Sequence, residues 1–85
     1  MKHFVYHTKG TCSSRIEFDL DGDIVRNVVF TGGCNGNLKA IPRLIEGIDA
    51  NEVIRRVKGV TCGPRNTSCS DQLSQALEQA LAGNL

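Results

Sequence analysis

From Ser14 to Leu20 polar and apolar residues alternate, with Ile16, Phe18 and Leu20 on one side and Arg15, Glu17 and Asp19 on the other. A period of two predicts a half-buried β-strand with one face turned to a core. Before it, His3 to Thr8 is rich in aromatic and β-branched residues and stops at Lys9-Gly10, which predicts a short first strand. After it, Asp21-Gly22 is a strong hairpin signal, and Ile24 to Thr31 returns as a third strand carrying Val28 and Phe30 on one side.

The period then changes. Gly32-Gly33-Cys34-Asn35-Gly36-Asn37 reads as a loop whose glycines permit positive φ and close backbone approach. A helix is expected from about Leu38 to Glu46, with Leu38, Ile41 and Ile45 apolar, Pro42 at a first turn or break, and Gly47 as its stop. Asp49-Ala50-Asn51-Glu52 has the form of a capping box and announces a second helix that buries Val53, Ile54 and Val57 and ends at Gly59. Past the loop Thr61 to Asn66, Thr67 or Ser68 caps a last helix in which Leu73, Ala76, Leu77, Ala80 and Leu81 recur at helical spacing until Gly83.

Strands followed by helices, with no internal repeat, predict an α+β fold: a three-stranded antiparallel meander followed by two or three helices packed on one face. A chain of 85 residues builds one core, so residues 1–85 are expected to form a single domain. Its only aromatic residues are Phe4, Tyr6, Phe18 and Phe30, and the core must be mostly aliphatic. A cross-link would help to hold such a core together.

The formal charge of +1, with both signs interspersed, offers no large footprint for a nucleic-acid backbone or an anionic membrane. Neither is expected as a partner. The one basic cluster, Arg55-Arg56-Val57-Lys58, reads as a solvated helix face. Met1-Lys2-His3-Phe4 is not followed by an apolar run, so a cytoplasmic location is expected, where thiols stay reduced. Four cysteines in that setting favour metal or thiol chemistry over a structural disulfide framework.

Cys12 precedes the second strand, Cys34 lies in the glycine loop, Cys62 is in the Thr61-Cys62-Gly63-Pro64 turn, and Cys69 begins the last helix. None falls within an apolar stripe, which weakens a packing-only role. Glycines beside Cys34 and Cys62 let the backbone bend around an ion, and the helix start favours the thiolate of Cys69. These three cysteines are therefore candidates to converge on a metal. Their spacing is not that of a zinc ribbon. The redox alternative is a reversible Cys62–Cys69 disulfide, which has a short loop but lacks the Cys-x-x-Cys arrangement. His3 and His7 share a strand face and are read as exposed rather than as ligands. Asp71 is read as complementing the helix dipole, with support of a cysteine ligand as the alternative. No base is placed beside a thiol, and Gly32 to Gly36 lacks the lysine and spacing of a phosphate loop.

Thr67-Ser68-Cys69-Ser70-Asp71-Gln72-Leu73, Gly32-Gly33-Cys34-Asn35-Gly36-Asn37-Leu38 and Gly59-Val60-Thr61-Cys62-Gly63 together resemble the TSCPD domain family. With Cys12 included, the chain is similar to that family's short standalone branch with four cysteines. It departs at Ser70, where the family's name-giving proline would stand, a change expected to loosen the helix start. The resemblance implies a tie to adenosylcobalamin-dependent ribonucleotide reductases, which carry this domain as a C-terminal extension. The chain is far too short to be the reductase, so the implied role is accessory or regulatory, with the reductase as a protein partner. A looser similarity runs to U-type iron–sulfur scaffold proteins, whose cysteines hold zinc or a nascent cluster. The expected site is Cys34, Cys62 and Cys69 with Cys12 as a fourth ligand, holding zinc in the first place and an iron–sulfur centre in the second, since both favour tetrahedral sulfur.

Overall fold

A computed structural model describes residues 1–33 and 35–85, the side chain of Asn35 excepted. Strands β1 (Lys2–His7), β2 (Ser13–Asp21) and β3 (Ile24–Gly32) form an antiparallel sheet in the order β1-β2-β3. Helices α1 (Asn35–Ile45), α2 (Ala50–Val57) and α3 (Cys69–Leu81) follow. The meander and the α+β class are those expected from the pattern of the chain. Ile16, Phe18 and Leu20 of β2 are buried, together with Ile45 of α1, Ala50 and Val53 of α2, and Leu73, Ala76, Leu77 and Ala80 of α3. All three helices thus share one core with one face of the sheet. His3, Val5 and His7 of β1 and Val29 of β3 are exposed.

Two irregularities of register correct the simple alternation. Between Glu17↔Val29 and Asp19↔Arg26 the third strand holds an extra residue, and Asn27 there has φ 56°. A residue in the left-handed region twists the strand, so Val25 and Val28 both reach the core although they are three positions apart. Val25, absent from the alternation-based core, is fully buried. A second shift, between Ser13↔Gly32 and Arg15↔Thr31, places an extra residue in β2 just where that strand leaves the turn bearing Cys12.

The helices also amend the sequence reading. Helix α1 begins at Asn35, so Pro42 is inside it and not at its first turn. Its missing amide leaves the Leu38 carbonyl without the usual helical donor. Asp49 caps α2 by accepting from the Asn51 amide, but Glu52 does not return the bond: its carboxylate takes Arg55 and Arg56 instead. Lys58 pairs with Glu78 at 2.9 Å, and Arg55, Arg56 and Lys58 all stay exposed, as expected of a solvated helix face. The segment between α1 and α2 adds to the edge of β3, with Val25 donating to the Ile48 carbonyl and Ala50 to the Asp23 carbonyl. Among the described residues, no helix is long and apolar enough to cross a membrane.

Candidate functional site

The turn from β1 to β2 meets the start of α3 at one end of the sheet. The Lys9 amide donates to Gln72 Oε1 at 3.0 Å, and a Cβ at Gly10 would stand 3.2 Å from Thr67 Cγ2. The turn is therefore fastened to the helix start, and it carries Cys12 there. Cys12 Sγ and Cys69 Sγ are 3.9 Å apart. Ser13, which is buried, donates from its hydroxyl to Cys69 Sγ at 3.1 Å.

A polar network fixes the segment that presents Cys62 and Cys69. Ser68 caps α3, its Oγ accepting from the Asp71 amide while donating to the Val60 carbonyl. The carboxylate of Asp71 accepts from Thr67 Oγ1 at 2.6 Å, from the Gly59 amide at 2.7 Å and from Gln75 Nε2 at 3.1 Å. The Thr67 hydroxyl above all, and then the Gly59 amide, hold this carboxyl below the ordinary carboxylate range despite its burial. Asp71 thereby clasps both ends of the 59–67 segment, and within it the Cys62 amide donates to the Thr67 carbonyl at 3.2 Å. The dipole-complementing role read from sequence is one part of what Asp71 does. Ser70, in the place of the expected proline, is in hydrogen-bond contact with the capping Ser68 at 3.1 Å, so the helix start is held by a side-chain bond.

Cys12, Cys62 and Cys69 line a single open cavity of about 230 Å³, whose walls include the apolar Leu38, Ile41 and Val60. Cys12 and Cys62 are exposed and Cys69 is half-buried, so none of the three acts as a core-packing residue. Burial raises the Cys69 thiol, but hydrogen bonds from the Ser13 side chain and amide, helped by Cys12 and Thr11, outweigh it and hold the thiol below its ordinary value. Gly33 lies against the same corner with φ 82°, and a Cβ on it would stand 2.6 Å from Leu38 Cδ1 and 3.0 Å from Cys12 Sγ. Only glycine permits that approach. Cys34 lies outside the described residues. Among those described, no three His, Cys, Asp or Glu residues are grouped closely enough to hold an ion. The structure thus brings Cys12 and Cys69 together and sets Cys62 on the wall of the same cavity.

The separation of the two sulfurs is that of two thiols in contact and also matches one edge of a tetrahedral site. Two thiolates each about 2.3 Å from a tetrahedral zinc stand about 3.8 Å apart, close to the separation found, whereas a disulfide needs about 2.05 Å. The redox pair expected from sequence was Cys62 with Cys69, but the described thiols in contact are Cys12 and Cys69. His3 takes no part in this corner: its ring bonds to Asp19 at 2.7 Å and to Glu17 at 3.4 Å, and these carboxylates, Asp19 first, raise its pKa. Sequence reasoning missed Ser13 and Gln72 as organisers of the site, since each acts on a residue brought near by the fold, and it offered Thr67 only as an alternative cap, whereas its hydroxyl donates to Asp71.

A family profile for the TSCPD domain matches residues 2–81. The chain belongs to the TSCPD domain family. Its Thr67-Ser68-Cys69 run has a physical meaning in this TSCPD domain: a buried threonine on the aspartate, a serine as helix cap and a cysteine at the first helical position. Neither the curated proteins nor the solved structures gave a match to the chain.

Proposed function

We propose that this TSCPD domain is a metal-binding protein in which Cys12, Cys34, Cys62 and Cys69 hold one ion, zinc in the first place and an iron–sulfur centre in the second. The 3.9 Å separation of the Cys12 and Cys69 sulfurs carries this reading, because it is close to the edge expected of a zinc–thiolate tetrahedron and is formed by residues far apart in the chain. Further support comes from Cys62 on the same cavity and from Gly33, the neighbour of Cys34 in sequence, against Cys12 Sγ. Four thiolates would leave no open position on the ion, which favours a role in structure and partner recognition over catalysis. The family's tie to ribonucleotide reductases supports an accessory or regulatory role toward such an enzyme, in the supply of DNA precursors.

Elemental analysis of protein purified without oxygen, with thiols counted before and after a chelator, tests the reading. About one zinc or cluster per chain, lost in the Cys12→Ser and Cys69→Ser variants with a rise in free thiols on chelation, is the expected result. Metal-free protein would sink it and favour thiol exchange at the same pair.

A further inference from the structure

The same corner sets two free thiols within a short movement of each other. Cys12 Sγ must move only about 1.9 Å toward Cys69 Sγ to reach bonding distance. Cys12 is exposed, so a small oxidant reaches it, while Cys69 is half-buried and held in place by the Ser13 hydroxyl. Cys62 opens on the same cavity, yet among the described residues the sulfurs in contact are those of Cys12 and Cys69. We infer that Cys12 and Cys69 form a peroxide-driven disulfide switch that expels the bound metal while keeping the fold cross-linked. The inference rests on the metal-binding reading above and adds its regulation.

The chemistry balances with hydrogen peroxide as oxidant. The Cys12 thiolate attacks the O–O bond, forming a sulfenic acid and releasing hydroxide. The Cys69 thiolate then attacks the Cys12 sulfur, the S–S bond forms, and a second hydroxide leaves. The two sulfurs lose two electrons and one peroxide is reduced. Two thiolates are removed from the ligand set, and a metal left with the remaining cysteines is surrendered to a competing chelator. The new bond joins positions 57 residues apart, tying the β1–β2 turn to α3 where the metal had tied them. A dithiol reductant reverses the step by thiol–disulfide exchange.

The test uses the zinc-bearing 85-residue chain, an equimolar dose of hydrogen peroxide, a chromophoric zinc chelator and peptide mapping under non-reducing conditions. A Cys12–Cys69 linked peptide should rise in step with released zinc, and dithiothreitol with added zinc should reverse both. Cys62→Ser should still form that link. Ser13→Ala should close the disulfide roughly threefold to tenfold more slowly, as expected for loss of one positioning hydrogen bond, and should accumulate sulfenic acid on Cys12 that dimedone traps. Far-UV circular dichroism confirms that each variant is folded. Zinc-bearing protein that links Cys62 to Cys69, or that forms no internal link, would overturn the switch and leave the metal site standing. Protein isolated with neither zinc nor a cluster would overturn the metal site, and the switch with it.

Discussion

Asp71 faces three donors, Thr67 Oγ1, the Gly59 amide and Gln75 Nε2, from a buried position. An Asp71→Asn variant removes the charge and turns an amide donor toward some of those donors. It should lower the unfolding free energy by about 2 kcal/mol at pH 7, read from the urea midpoint, in line with hydrogen bonds to a charged group. The folded carboxyl titrates below its unfolded value of 3.8, so its contribution is present above that value and is lost as pH falls through the folded one. The two proteins should therefore converge in stability in acid below pH 3.8. An aspartate in the first turn of a helix is legible in sequence. That it also holds Gly59, 12 positions back, is not, because that partner is chosen by tertiary packing.

At the scale of elements, the start of α3 depends on Ser68, which both caps the helix and holds the Val60 carbonyl. Ser68→Ala should cost about 1–2 kcal/mol, measured by thermal or urea unfolding, and should increase the alkylation rate of Cys69 as the first turn frays. This cap was readable because serine, threonine and aspartate precede a run of helical period. The strands were readable for a similar reason, since β2 buries one side of a strict alternation. The start of α1 was not: Asn35, Gly36 and Asn37 are poor helix formers, and position in the fold overrides their propensity. The capping box at α2 failed because two arginines one turn later compete for Glu52. The bulge at Asn27 moved Val25 into the core, which no count of alternating residues reveals.

Over the whole molecule, the core is small and aliphatic around Phe18, which is fully buried and stacks on Phe4 with centroids 5.4 Å apart. Phe18→Ala should remove about 3–5 kcal/mol. That is a large share of the about 5–15 kcal/mol available to a domain, so the variant's circular dichroism melt should shift far down or lose its cooperative step. The cysteine positions were legible, but the pairing of Cys12 with Cys69 was not, because it depends on a turn landing on a helix end across the fold. That separation has a consequence in time. During synthesis, Cys12 leaves the ribosome 57 residues ahead of Cys69, an interval of about 3–11 s at ordinary elongation rates. The early cysteine cannot find its mate until the last helix has been made. A metal captured between them would register that synthesis and folding have both reached that point, and a chain stalled before residue 69 would lack the thiol needed to hold it there.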